Sequence, residues 1–492
     1  MERETTTDGG DESRGDGGDE SRGDGGDESR GDGERWHDMW GTRTARMEFG
    51  TAGIRGPVTE VTPELALAVG RAVGADATEV VLARDGRTTG ESLVAAVTAG
   101  ATSAGAAVRQ AGQLPTPALA RASRGRHGVM VTASHNPPTD NGLKLFADGR
   151  EYDSDRERRI EERVVADTPA ADWEAYGGVE RVDPLPAYRE AVTDYARGHG
   201  ADPSKLSVAV DCGTGMASRA TPQVLRALGT DVTALNANVD GHFRARASKP
   251  TAESLADLRA FVADGPPVFG IGHDGDADRI VVVDGAGEVV HEDTVLAMLA
   301  EHYTRASDAA DPVVVTTPNA SGRIDERVRA AGGRVERVRL GALHEGITSV
   351  RREGTEDTSV VFAGEPWKHV HPGLGGWIDG IASAAVLARL VAAEGLDALR
   401  APITERPYRK ESIPCPDEQK TAAMRTLAER LPEAFERAST TTEYGVRLTF
   451  PDDSWLLVRP SGTEPYVRVY VESDDADDLL ADVREHVERA VE

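Results

Sequence analysis

At 492 residues the chain is longer than one ordinary hydrophobic core supports, so three or four domains are expected. Its 39% hydrophobic content suffices for globular cores, no apolar run is long enough to span a bilayer, and "MERETTTDGGDESRG" has no apolar segment of the signal-peptide kind, so a cytoplasmic protein is expected. A formal net charge of −28, from 56 Lys+Arg against 84 Asp+Glu, argues against nucleic acid and anionic membrane as partners, and two cysteines, Cys212 and Cys415, cannot make a disulfide framework.

Only six of those basic residues are lysine, and an acidic, lysine-poor surface suggests the salt-rich cytoplasm of a halophile, where self-repulsion is screened. A GC-rich genome would explain the lysine deficit but not the acidity. The first 34 residues hold 13 acids and 4 arginines, and residues 8–31 are three copies of "DGGDESRG" without one aliphatic or aromatic side chain. Nothing there offsets the entropy of ordering, so residues 1–40 read as a disordered acidic tail.

Beyond the tail a β-α-β pattern recurs three times, in "EVVLARDGRTTGESLVAAVTAGATSAGAAVRQAG", "LSVAVDCGTGMASRATPQVLRALGTDVTAL" and "PVVVTTPNASGRIDERVRAAGGRVERVRLG". The turn at each strand's C-terminal end is where α/β folds place ligands, so three similar α/β domains facing one cleft are expected. The last segment differs. "DSWLLVRPSGTEPYVRVYVES" reads as two strands joined by a polar loop, with the helix "DADDLLADVREHVERAV" behind it, a smaller α+β domain.

Three stretches could carry chemistry. In "VTASHNPPTDNGLKLF" small residues and prolines fix a non-helical loop that presents Ser134 as a candidate nucleophile, with His135 or Lys144 as acid or base. Lys144 is notable in a chain that uses arginine in place of most lysines, because a lysine can lose its proton. In "GHDGDADR" Asp274, Asp276 and Asp278 alternate on a turn between apolar strands, and three converging carboxylates repel unless a hard cation such as Mg²⁺ lies among them. An EF-hand is excluded, since its glycine and glutamate positions are Arg279 and Gly285. In "RPSGTEP" Arg459, the hydroxyls of Ser461 and Thr463 and the N–H groups around Gly462 form a donor set suited to a phosphate dianion.

With "FGTAGIRG", these motifs in this order resemble the α-D-phosphohexomutases, the family of phosphoglucomutase, phosphomannomutase and phosphoglucosamine mutase, over about residues 45–492. The resemblance implies an isomerase that interconverts hexose 1-phosphate and hexose 6-phosphate of mannose, glucose or glucosamine, through a phosphoserine at Ser134 and a bisphosphorylated intermediate. Asp274, Asp276, Asp278 and a phosphoserine oxygen of Ser134 would hold Mg²⁺, and hexose 1,6-bisphosphate would act as activator. His135, Lys144, Arg55 and Arg279 would serve proton transfer and charge stabilisation. Glu365 and His369 would grip the sugar, while Arg459, Ser461, Gly462, Thr463 and Arg468 would anchor the distant phosphate. The implied domains are 41–183 with the serine loop, 184–288 with the metal loop, 289–404 with the sugar loop and 405–492 with the phosphate loop. Small sugar phosphates are the implied partners, and the oligomeric state is left open.

The sugar loop departs from the family: "GEPWKH" puts Trp367 and Lys368 where serine and glycine are usual, and a tryptophan there could stack on a pyranose face or belong to a core. The rival reading is a Mg²⁺-dependent sugar-phosphate phosphatase, in which Ser134, Asp274 or Asp276 is phosphorylated and water resolves it. A non-catalytic sugar-phosphate sensor is a third.

Overall fold

The computed structural model describes residues 53–461 and 464–491, so the tail at 1–40 and the phosphate-loop residues Gly462 and Thr463 lie outside it. No helix among the described residues is long and apolar enough to cross a membrane. The architecture is three α/β units followed by a smaller α+β unit, each with its own sheet.

The three expected β-α-β units form. In the first, strands Glu79–Arg84 and Ala107–Gln113 flank helix Gly90–Ser103 and pair in parallel; strand His127–Val131 joins on the other side of Glu79–Arg84, also parallel. In the second, Ser207–Asp211 pairs in parallel with Asp231–Leu235 and with Phe269–Gly272. In the third, Asp311–Thr316 pairs in parallel with Arg334–Arg337 and with Thr358–Glu365. These runs are Val-, Ala- and Ile-rich with little alternation, as strands covered on both faces must be.

One feature of all three sheets differs from the expectation that ligands sit in the βα turns. The serine, metal and sugar loops are instead hairpin tips. His127–Val131 returns as the antiparallel strand Asp140–Ala147, Phe269–Gly272 returns as Val281–Val283, and Thr358–Glu365 returns as Lys368–Val370. The βα turns supply Asp85, Asp211 and Ser321, which brace their surroundings. A hairpin tip between two buried strands is held at both ends, which suits loops that must keep charged groups in register.

The fourth sheet is wholly antiparallel, and its strands Trp455–Pro460 and Tyr466–Glu472 with helix Ala476–Val491 match the sequence pattern. Helices Asp417–Ala434 and Ala476–Val491 cover one face with a core that includes Leu427, Val458, Val469 and Val483. On the other face Glu472 accepts bonds from Trp455 Nε1 at 2.9 Å and from Ser321 Oγ at 2.7 Å and pairs with Arg323 at 3.2 Å, which ties the third unit to the fourth through buried charge.

Candidate active site

Ser134 stands at the tip of the first hairpin with φ +52°, a left-handed conformation uncommon for serine. Its neighbours over-determine it. The Thr132 hydroxyl accepts from the Ser134 N–H at 2.8 Å, and buried Arg87 donates to the carbonyls of Ser134, Asn136, Pro137 and Asp140. Asp85 holds that guanidinium through Nε at 3.1 Å. Strain at a loop tip, fixed by so many bonds, is the signature of a positioned functional group.

The serine hydroxyl donates to Asp274 Oδ2 at 2.7 Å, so the first hairpin meets the second. Gly275 permits this approach, because a Cβ there would lie 2.7 Å from the Ser134 carbonyl oxygen. The carboxylates of Asp274, Asp276 and Asp278 converge, with ligand atoms all within 4.8 Å of one another, and each is buried. Asp276 Oδ1 and Asp278 Oδ1 have no hydrogen-bond partner although both are buried. Orphaned anionic oxygens in a cluster fit a hard divalent cation. Burial and the other two carboxylates push the Asp274 carboxyl well above its ordinary value, the repulsion that a cation would relieve.

Cations surround the triad. Lys144 Nζ, from the returning strand of the serine hairpin, lies 2.9 Å from Asp276 Oδ2 and 2.6 Å from Asp278 Oδ2. Burial alone would lower its ammonium, but the two carboxylates outweigh that and hold it above the ordinary range. Lys144 is therefore a fixed positive charge in this arrangement, and the proton loss that its residue type allows is opposed by its partners. Arg279 Nε approaches Asp274 at 3.7 Å and Asp278 at 4.0 Å. Arg55 presents buried Nε and Nη2 without partners. His135 Nδ1 lies 3.3 Å from Ser134 Oγ, and burial, Arg279 and Arg55 lower its pKa to about 2, which keeps it neutral.

In the sugar hairpin Glu365 stands directly across from Lys368. Trp367 at its tip has φ +69°; its carbonyl accepts from Ile280 N–H at 3.0 Å and its ring packs against the second unit's apolar cluster that includes Leu255 and Val283, with Arg279 over it at 5.9 Å. Of the two roles open to this residue, the structure favours packing. His369 is buried; its Nδ1 bonds Ser383 Oγ at 3.0 Å while Nε2 has no partner. A pocket beside Glu365 is also lined by Glu151, His344 and Trp377. The backbone bridge between Arg279 and Lys368 joins the sugar hairpin to the metal loop.

Arg459 and Arg468 face each other across neighbouring strands of the fourth sheet, a like-charge pairing that an anion would stabilise. Arg459 Nη2 donates to Tyr470 Oη at 3.0 Å and its buried Nε has no partner. Ser461 N–H donates to the Tyr466 carbonyl at 3.0 Å, which closes the loop. Arg459, Ser461 and Arg468 thus form a group of their own on the fourth sheet.

Three family models match this chain in sequence: the phosphoglucomutase/phosphomannomutase alpha/beta/alpha domain I over residues 46–170, alpha/beta/alpha domain II over 186–287 and the C-terminal domain over 413–490. The chain belongs to the phosphoglucomutase/phosphomannomutase family. This mutase is 41% identical over 434 residues to a phosphopentomutase from Thermococcus kodakarensis, covering 86% of this chain and 93% of that protein. It is 40% identical over 459 residues to a probable phosphoglucosamine mutase from Methanopyrus kandleri, covering 90% and 98%. A phosphoglucomutase/phosphomannomutase family protein from Burkholderia thailandensis superposes with TM-score 0.77 at 25% identity, covering 89% and 96%. At 17% identity and TM-score 0.57, covering 93% and 99%, the fold is also shared with an Aspergillus fumigatus N-acetylphosphoglucosamine mutase solved with GlcNAc-6P and magnesium. The activity class is isomerase, by phosphoryl transfer within a sugar phosphate.

Sequence reasoning passed over several residues of the mutase. Arg87 and Arg246 are buried braces of the serine and metal loops; Arg246 donates to Asp211 at 3.0 Å and to the His273 carbonyl at 2.6 Å. Thr116 donates to Asp276 Oδ2 at 2.6 Å. Lys420 Nζ donates to the carbonyls of Ser461 and Glu464 at 2.7 and 2.6 Å. The scarcity of lysine that singled out Lys144 was a signal for Lys368 and Lys420 too. No comparable signal marks one arginine among fifty.

Proposed function

We propose that this chain interconverts 1-phosphorylated and terminally phosphorylated sugars through a phosphoserine at Ser134, and that Asp274, Asp276, Asp278 and a phosphoserine oxygen hold Mg²⁺. The observation that carries the reading is the 2.7 Å bond between Ser134 Oγ and Asp274 Oδ2, which puts a strained, braced hydroxyl against a buried carboxylate triad with orphaned oxygens. The magnesium in the Aspergillus relative's structure supports the choice of ion. Bound there, the ion supplies charge neutralisation for the moving phosphoryl group.

The chain's own groups do the rest. A sugar hydroxyl oxygen forms a bond to phosphorus as the bond from phosphorus to Ser134 Oγ breaks, and the hydroxyl's proton leaves. Neutral His135 is the neighbouring acceptor, and a phosphoryl dianion among Arg55 and Arg279 offsets the charges that depress its basicity. The bisphosphorylated sugar then presents its other phosphate, which returns to Ser134 with no net consumption. Arg459, Ser461, Gly462, Thr463 and Arg468 hold the phosphate that is not reacting, so binding energy remote from the chemistry orients the sugar. A hexose 1,6-bisphosphate restores phosphate to an enzyme that has lost it.

The test is peptide mass spectrometry of enzyme purified without phosphatase, followed by an assay of sugar-phosphate interconversion and phosphate release in high salt. Phosphate on Ser134, restored by glucose 1,6-bisphosphate, with interconversion and little free phosphate, is the expected result. An unphosphorylated Ser134 with stoichiometric phosphate release would turn the reading to the phosphatase.

A further inference from the structure

The relatives include a phosphopentomutase and a probable phosphoglucosamine mutase, whose substrates differ in charge: the amino sugar carries an ammonium that the pentose lacks. Glu365, the residue expected to grip the sugar, shares its pocket with Glu151, and its surroundings bear on that difference. Lys368 Nζ lies 3.6 Å from Glu365 Oε1, and both side chains are largely buried, at 12% and 13% exposure. A pair so withdrawn from solvent is weakly screened. The ammonium cannot easily swing away. Lys368 is paired with Glu365 across the hairpin and bridged to Arg279, and the preceding Trp367 is pinned by its carbonyl bond to Ile280 and by its packing on the second unit.

We infer that Lys368 is a specificity-determining residue that commits this site to neutral, polyhydroxylated sugar phosphates and turns away amino sugar phosphates. This rests on the mutase reading above. A hydroxyl can donate to Glu365 while the lysine stays in place. A sugar ammonium brought against Glu365 must share that carboxylate with a second cation whose position is fixed, although Glu151 lines the same pocket. Repulsion between two unit charges a few ångströms apart in a partly buried site is large enough to cost at least about tenfold in affinity. The chain's scarcity of lysine points the same way, since a small, strongly hydrated ammonium differs in reach and shape from the guanidinium used elsewhere.

The experiment measures kcat/KM for glucose 1-phosphate, ribose 1-phosphate and glucosamine 1-phosphate with wild type, Lys368→Arg and Lys368→Met, and the affinity of wild type for glucosamine 6-phosphate relative to glucose 6-phosphate at pH 6 and pH 9. Expected are a neutral-over-amino preference of at least about tenfold in wild type, preserved with arginine and narrowed with methionine. In wild type the affinity gap should shrink at pH 9, where the sugar amine is uncharged. Glucosamine phosphate used as well as the neutral sugars would overturn the inference and leave the mutase standing. A preference unmoved by Lys368→Met, or a gap unchanged at pH 9, would remove Lys368 from it. No interconversion of any of the three would overturn the mutase reading itself.

Discussion

Arg87 and Ser134, 47 residues apart, are joined by a 3.0 Å bond from Nη2 to the serine carbonyl, and the same guanidinium reaches three further carbonyls of the serine loop. Four carbonyls and Asp85 use all five donors of one planar fork. A lysine has neither the donor count nor the geometry to replace it. Arg87→Lys should therefore leave carbonyls and part of Asp85 unsatisfied in a buried site, destabilising the protein by about 3–5 kcal/mol and lowering kcat steeply while Ser134 is still present. Urea unfolding and turnover check this together; a variant of near-normal stability and activity would show that the loop keeps its shape without the clamp.

Ser134 itself separates strain from chemistry. Its φ of +52° costs serine about 1 kcal/mol that glycine does not incur. Ser134→Gly should hold or slightly raise the unfolding midpoint yet cut turnover by at least about a thousandfold and abolish phosphate incorporation. Ser134→Ala should be equally inactive but less stable than the glycine variant. Equal stability of the two would mean that the loop relaxes out of the left-handed region once Oγ is gone.

The three β-α-β units and the C-terminal strand pair were legible because apolar periodicity reports burial, and the units are buried on both faces. The acidic triad was legible because three alternating aspartates have few other uses. What the sequence hid is what depends on contacts across units. Nothing in "GEPWKH" says that Trp367 turns to the second unit instead of the sugar, since φ +69° and the Leu255 and Val283 surface belong to the tertiary structure. The aspartate loop was read as a turn between two apolar strands, but the hairpin origin of the serine and sugar loops was hidden: a β-α-β pattern shows the parallel strands but not which of them returns antiparallel. Lys144 was singled out as a group able to lose a proton, and only the tertiary structure shows the two carboxylates beside it that favour its charged form.

Lys420 gives a test of the phosphate loop that leaves its ligands intact. Its ammonium spans the loop from the Ser461 carbonyl to the Glu464 carbonyl, on either side of the two residues expected to donate to phosphate. Lys420→Met should raise KM for sugar phosphates by about tenfold, with a smaller fall in kcat and a modest loss of thermal stability, since the side chain is largely buried and its ammonium holds two carbonyls and Asp417. Inorganic phosphate as a competitive inhibitor should weaken in parallel. If KM holds and kcat alone falls, the lysine acts elsewhere than on anion binding.

The histidines away from the metal cluster predict how stability depends on pH. His199 bonds His302 at 2.9 Å, Tyr303 bonds His371 at 2.7 Å, and His371 and His369 share Ser383. Burial lowers all four, His302 to about 4 and His369 to about 3. A folded pKa below the unfolded one means that the unfolded chain takes up protons first, so this stability is present above about pH 6.5 and is lost as pH falls toward the folded values. Raised carboxyls oppose the trend. Burial raises Asp379 to about 6 and Asp293 to about 8, and their contribution is lost as pH rises through those values. Among the described residues eight histidines are lowered against five raised carboxyls, Asp85, Glu157 and Asp274 joining Asp293 and Asp379, so the urea midpoint, measured in high salt to screen the chain's acidic self-repulsion, should fall as pH is lowered from 7.5 to 5. His199→Gln with His302→Gln should flatten that slope, since two of the eight proton-binding sites are removed from the unfolded state. A midpoint that stays level or rises over this range would mean that the histidine cluster opens and protonates without unfolding the protein.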